Sequence, residues 1–463
     1  MHRRLPVLGL CVFALMAAMC GCQGLTGGAR RAGNPEMNVV NHVVILMQEN
    51  RSFDSYFGLM TAYRQANGIP INSSDGKIND LTGITFTNTV QPGIVIPAAH
   101  TGSVCTETLT PDWAESHKMM NLTDPSAAGP NSPMDGFAQT AQDVAQFAKS
   151  LGVNLVDQTG VRAMHFFDWN DLNYYYFMAS QFAMSDAMFS PLPARTAVNR
   201  MYFHAATSHG HAHDPTTTVP ATTIWEELQA GGILWKIYIT DNPPNFTYLS
   251  IFDFFNDPGT ASHIVPLSEY FEDVKNGTLP AVSFIETGMA SGRDEHPSNF
   301  NPEQPGAPVT PINVQVGAQY ASTIINALME SPLWKESVFF WVMDEGGGMF
   351  DHVPPIRVPN PDGRRPQDLR PDDPPGDFTI TGFRVPNFIV SPFAKKNFVS
   401  HTPMDFTAIL GFIQARWNLR TLTERDAAMP DMTEFFDFTN PPWMAPPTPP
   451  AQNMNGVCDF SRQ

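Results

Sequence analysis

Two short segments place oxygen-bearing side chains directly after apolar runs. In "HVVILMQENRSFDSYFG" (His42 to Gly58), the run Val43–Met47 is followed by Gln48, Glu49 and Asn50. In "VFFWVMDEGGG", the run Val338–Met343 is followed by Asp344 and Glu345. Unbroken apolar runs of this length predict strands buried on both faces. Taken singly, Glu49 and Asn50 fit a helix N-cap with a first-turn acid, and Asp344 and Glu345 fit a polar turn. Taken together they fit something else. If the two strands are neighbours, four hard oxygen ligands converge, and carboxylates packed that closely repel one another. A divalent cation relieves the repulsion. Gly346–Gly348 let backbone approach such a ligand closely. The expectation is one divalent metal ion, of unspecified identity, held by Glu49, Asn50, Asp344 and Glu345.

Residues of this kind need a frame that ends its strands at one edge. Further apolar runs read as core strands: Leu234–Thr240 ("LWKIYIT"), Ala281–Ile285 ("AVSFI") and Asn387–Val390 ("NFIV"). Helical spacing appears at Ile224–Ala230, Val314–Met329 and Phe406–Trp417. Near-continuous apolar strands alternating with helices predict an α/β fold. Its central sheet is mostly parallel and covered by helices on both faces. In such sheets ligands bind beyond the carboxyl ends of the strands, where both acidic pairs fall. Gly58 to Pro133 reads as a long excursion over the sheet edge, and Pro354 to Pro375 as an exposed loop. The proline-dense tail from Pro441 to Pro450 reads as extended along the surface or disordered.

The chain has 463 residues and a formal net charge of -18. That charge disfavours a nucleic-acid partner, and a phosphate site needs local positive charge to offset it. His2, Arg3 and Arg4 precede an apolar run from Leu5 to Met19 and then "CGCQG". This predicts a signal peptide over residues 1–22, either a plain one or a lipoprotein signal ending at Cys22. The protein is therefore expected to be exported: periplasmic, membrane-anchored through a lipidated Cys22, or extracellular. Of five cysteines, Cys105 and Cys458 lie clear of that segment. They either pair or stand too far apart to do so.

The same motifs resemble those of the bacterial phosphoesterases that include phospholipase C and related acid phosphatases. After the opening motif come "PDWAESH" with "MDGF", then "RTAVNR", "DEHP", "DEGGGMFDHVPP" and "RVPNFIVSPFAKK", in the family's order, from about His42 to Phe438. The resemblance implies an alkaline-phosphatase-like fold with long loop insertions. It implies a catalytic domain over residues 38–440, with 441–463 as a tail. It makes Glu49, Asn50, Asp344 and Glu345 metal ligands. Thr196 becomes the nucleophile, also touching the metal, while His117 and His296 contact the phosphoryl group or the leaving oxygen. His352, after Asp351, assists. Phospholipases of this group usually read Gly-x-Thr-x-Pro-Asn-Arg where this chain has Ala194 and Val198 in place of Gly and Pro. Ser55 stands where the opening motif often has His.

The expected substrate is a phosphate ester, phospholipid or phosphorylcholine-like, cleaved as by phospholipase C. A broad acid phosphatase is the alternative, and a non-catalytic surface-binding lipoprotein the third reading. "HGHAHD" (His209, His211, His213) invites a metal reading on alternate positions but is expected to be a solvated loop. The aromatic run Phe166–Phe177 is expected to pack in the core.

Overall fold

The central apolar strands are buried on both faces and so stack side by side. The computed structural model describes residues 28–241, 248–298 and 309–463. Its main sheet has eight strands. They are β1 (His42–Gln48), β2 (Ala183–Ser185), β3 (Trp235–Ile239) and β4 (Ile264–Pro266), then β5 (Val282–Glu286), β6 (Ser337–Met343), β7 (Asn387–Val390) and β8 (Phe398–Ser400). Their order is β8-β2-β7-β6-β1-β5-β3-β4. Strands β6, β1, β5, β3 and β4 run parallel. Strand β7 runs antiparallel to β6 and β2. It starts beside the end of β6, where Met343 donates to the Pro386 carbonyl, and so runs back along it.

Among its helices are α1 (Trp113–Met120), α2 (Phe137–Ser150), α3 (Asn173–Gln181), α4 (Thr196–Ala205), α5 (Ile224–Ala230), α6 (Val314–Met329) and α7 (Thr407–Trp417). Helices α5 and α6 span the residues expected from their spacing. Thr223 closes a capping box on α5, and Asn313 caps α6. Helices cover both faces, as period-two alternation requires. Phe340 of β6 meets Phe412 of α7, with ring centroids 5.3 Å apart. Its neighbour Trp341 points the other way, onto Tyr175 of α3 at 4.3 Å.

The segment from Gly58 to Pro133 has more structure than an edge excursion. It holds a helix at Met60–Ala66, a hairpin over Thr87–Val90 and Ile94–Pro97, and α1. Met119 and Met120 of α1 join Phe137, Met349 and Phe350 in a second, smaller core that roofs the glycine-rich loop after β6. Cys105 and Cys458 form a disulfide, with Cα atoms 5.0 Å apart. The tail is therefore extended and tethered. Val457 accepts from the Val104 amide at 2.9 Å, and Gly456 donates to Gln315 Oε1 at 2.9 Å. Among the described residues no helix is long and apolar enough to cross a membrane. The expected signal segment and Cys22 lie outside the described residues.

Candidate active site

Parallel pairing brings the ends of three strands together. Gln48 of β1 is level with Met343 of β6, and Met47 with Glu286 of β5. The Asp344 amide donates to the Gln48 carbonyl at 3.1 Å. Glu49, Asp344 and Glu286 therefore leave the sheet side by side, all almost fully buried. Arg200 reaches them from α4. It pairs with Asp344 at 3.1 Å, Glu286 at 2.9 Å and Glu49 at 3.1 Å, and donates to the Met47 carbonyl at 3.2 Å. Neither Arg200 nor Glu286 was singled out by sequence. Glu286 carried the same signal as its neighbours, an acid directly after an apolar run.

One guanidinium does not balance this cluster. Glu345 is buried within reach of the charges of Asp344 and Glu49, and Asp294 within reach of Glu49. Burial, then repulsion from Asp344, raises the affinity of Glu49 and Glu345 for a proton. Burial does the same for Asp344 against the pull of Arg200. Asp344 Oδ1, Glu345 Oε1 and Asp294 Oδ1 accept no hydrogen bond, although buried. Buried acceptors without donors are costly, and a hard cation satisfies them. The donor set therefore fits a divalent ion.

Two other groups bring three ligand-type side chains within 4.8 Å of one another: Asp54, Asp351 and His352, and His100, Asp168 and Asp171. The set expected from sequence is not drawn that tight. Its carboxylates repel, and Arg200 draws two of them towards itself. The Asp54 group already has its cation. Arg384 donates to Asp54 at 2.8 Å and to Asp351 at 2.9 Å.

Thr196 is the first residue of α4 and is nearly buried. Its Oγ1 donates to Asn50 Oδ1 at 3.5 Å, which brings the expected nucleophile to the expected ligands. Asn199 shapes the approach. Its Nδ2 donates to the Ala194 carbonyl at 2.7 Å, and its Oδ1 accepts from the Leu192 amide at 2.9 Å. Ala194 and Val198 are both buried, so the unusual residues pack inward and leave Thr196 at the helix start. Arg195 beside it is exposed, and its charge acts on Glu345 and His296. Gly347 has a φ of 66°, and a Cβ there would lie 2.0 Å from the Asn50 carbonyl oxygen. Its amide donates to Glu345 Oε2 at 2.6 Å. The absence of a side chain at Gly347 thus lets this loop pack against the Asn50 backbone.

His117 and His296 share one design. His117 Nδ1 donates to the Trp113 carbonyl at 2.8 Å, and His296 Nδ1 to the Pro297 carbonyl at 2.6 Å. Only the protonated Nδ1 can donate to a carbonyl, so each neutral ring keeps its lone pair on Nε2. Burial lowers both to about 4. His296 is aimed by its neighbour Glu295, whose φ is 76°. That buried carboxylate accepts from Tyr56 at 2.5 Å, Tyr175 at 2.5 Å and Gln48 at 2.8 Å, and Arg51 donates to its carbonyl at 2.9 Å. A Cβ at Gly317 would fall 2.1 Å from Glu295 Cγ. The aromatic run thus packs in the core as expected, and one of its tyrosines also braces the site.

His352 is placed differently. Its Nδ1 meets Asp54 at 2.6 Å and its Nε2 meets Asn79 at 3.1 Å. Both nitrogens are taken by groups outside the set around Thr196. "HGHAHD" is not simply a solvated loop. His213 is buried between Asp112 at 2.9 Å and Asp373 at 2.7 Å, and His211 meets Asp368 at 2.9 Å. These carboxylates come from distant segments, so the residues flanking the histidines gave no sign of them.

Comparisons with known proteins agree with this arrangement of motifs. Phospholipase C B of Mycobacterium tuberculosis is 29% identical over 454 residues, covering 90% of this chain and 80% of that protein. Non-specific phospholipase C1 of Arabidopsis thaliana is 27% identical over 434 residues, covering 87% and 72%. A solved protein of the alkaline phosphatase superfamily from Vibrio parahaemolyticus is 13% identical over 62% of this chain and 67% of its own. Its TM-score of 0.33 is too low to bear on the fold. The match that decides runs from residue 40 to residue 420, through every motif around Thr196. By that match the chain belongs to the Phosphoesterase family, hydrolases acting on phosphoric esters.

Proposed function

We propose that the protein is a metal-dependent phosphoesterase of the phospholipase C type, exported, with Thr196 as its nucleophile and an alkaline-phosphatase-like frame. The observation that carries this reading is Thr196 at the start of α4, bonded to Asn50 beside buried acids whose oxygens lack donors. Glu49, Asn50, Asp344 and Glu345 would hold the ion, with Thr196 beside it. When bound, it supplies positive charge that offsets the acids, lowers the pKa of a nearby hydroxyl and screens a phosphoryl group.

The chain's own groups do the rest. Asn50 Oδ1 accepts a hydrogen bond from the Thr196 hydroxyl and orients it, which leaves the oxygen lone pairs for phosphorus. The positive end of α4 favours both the emerging alkoxide and the phosphoryl oxygens. Attack forms a bond from Thr196 Oγ1 to phosphorus and expels the ester oxygen, which needs a proton. The proton that Thr196 gives up is the one the departing oxygen gains: the Nε2 of His117 or His296, both neutral above about pH 4, takes it and returns it. Water then hydrolyses the phosphothreonine.

Phosphate release from p-nitrophenyl phosphate, measured beside cleavage of bis(p-nitrophenyl) phosphate, tests the reading. Faster cleavage of the diester is expected. Faster cleavage of the monoester would favour the acid phosphatase, and no cleavage of either would leave the non-catalytic lipoprotein. Export is supported by the basic start and the apolar run before Cys22. Mass spectrometry of the native protein is expected to find a chain beginning near Cys22; a mature chain that still begins at Met1 would overturn this.

A further inference from the structure

A cavity of about 350 Å³ is lined in part by His117, the histidine proposed above to serve the phosphoryl group. Trp113, Phe378, Arg357, Arg365 and Asp377 also line it. The rings form a continuous apolar wall. Trp113 lies 4.5 Å from His117 and meets Phe378 edge-on at 6.0 Å. Its indole Nε1 donates to the Pro374 carbonyl at 2.9 Å, which fixes the ring.

Arg357 and Arg365 line the same cavity, and the backbone fixes the segments that carry them. Arg357 pairs as an isolated antiparallel bridge with Ile380, flanked by bonds from Val358 to Thr379 at 3.0 Å and from Thr381 to Ile356 at 3.1 Å. Arg365 follows a turn pinned by Asn360, whose Nδ2 donates to the Arg364 carbonyl at 2.8 Å and the Asp377 carbonyl at 2.7 Å. The loop over Pro354 to Pro375 is thus tied down beside the cavity.

The charge here runs against the rest of the molecule. In a chain of net charge -18, among the described residues neither Arg357 nor Arg365 is ion-paired to a carboxylate. Asp377 lines the same cavity, but its Oδ1 accepts from the Thr379 amide at 3.1 Å and hydroxyl at 2.5 Å, within its own turn. Two guanidiniums lining one cavity suit a phosphate or carboxylate, which they bind through paired hydrogen bonds. They repel a quaternary ammonium. The volume suits a small polar headgroup, with its carbon skeleton against the indole.

We propose that this cavity is a subsite for a second anionic group on the substrate, a phosphate or carboxylate carried by the headgroup beyond the reacting phosphorus. The inference rests on the phosphoesterase reading above. The substrate then contacts His117 at the reacting phosphate and the two arginines at its far end.

Two pairs of lipids test it, presented in mixed micelles at equal surface fraction. Phosphatidylserine differs from phosphatidylethanolamine by one carboxylate, and phosphatidylinositol 4-phosphate from phosphatidylinositol by one phosphate. The parent enzyme is expected to favour the more anionic member of at least one pair by about tenfold or more in kcat/KM, as a charge-assisted contact gives. Which pair responds tells carboxylate from phosphate. In the double variant Arg357→Ala with Arg365→Ala, the preference is expected to collapse towards unity. Both side chains are exposed, and a melting curve verifies folding. Arg→Lys at both positions is expected to keep part of it. Bis(p-nitrophenyl) phosphate, which has no second anion, separates the two levels. If the parent cleaves it yet shows no preference in either lipid pair, or if the preference survives in the double alanine variant, the subsite is overturned. If no ester is cleaved, the reaction reading falls and the subsite with it.

Discussion

Thr196→Ala is expected to lower turnover of a phosphodiester by about a hundred- to a thousand-fold or more, the scale of losing one positioned catalytic group. The change removes the one hydroxyl that reaches Asn50 from the start of α4. It should barely disturb the fold, since alanine suits a first helical turn and the Thr196 side chain caps nothing. Thr196→Ser keeps the hydroxyl and should retain much of the activity. Stopped reactions of the parent, quenched in acid, should yield a phosphopeptide containing Thr196, and Thr196→Ala should yield none. Thr196→Ala cleaving the diester at close to the parent rate would end the mechanism, leaving water as the nucleophile. The unusual neighbours sharpen the test. Ala194 and Val198 are buried and Asn199 holds the loop, so the hydroxyl is placed without the usual glycine and proline.

The parts of the site that were legible in sequence are those that follow from local pattern. Val43–Met47 and Val338–Met343 had to be buried strands, and acids after them had to meet if the strands were neighbours. Strand direction is not a local property. Asn387–Val390 looked like its parallel companions, yet it runs back along β6 because the chain returns at the end where β6 finished. Arg200 was one basic residue in a helix until the fold set it against three acids. Glu295 could not be read as a brace, because its partners Tyr56 and Tyr175 lie more than a hundred residues away. The same holds for Cys105 and Cys458, whose bond spans a sequence separation of 353. His213 shows the converse: a conspicuous spacing that two distant carboxylates have already used.

The acids themselves give the other large effect. Asp344→Asn keeps the shape of the side chain and removes its charge. If the buried acids hold a cation, the loss weakens binding, because the ion was balancing that charge and its Oδ1 had no other partner. Parent protein purified without chelator is expected to carry about one divalent ion per chain, and Asp344→Asn well below that, with activity down by about a hundred-fold or more. Arg200 complicates the reading, since Asp344 is also its partner at 3.1 Å. Breaking a buried pair costs about 3–5 kcal/mol, so lost activity alone could reflect damage to the fold. Glu286→Gln separates the causes. It removes an equally buried partner of the same arginine, at 2.9 Å, and Glu286 is not one of the four expected ligands. Both variants should lose stability in urea melts, while Asp344→Asn alone should lose most of its metal by elemental analysis. An Asp344→Asn protein that keeps one ion per chain and parental turnover would remove Asp344 from the metal site.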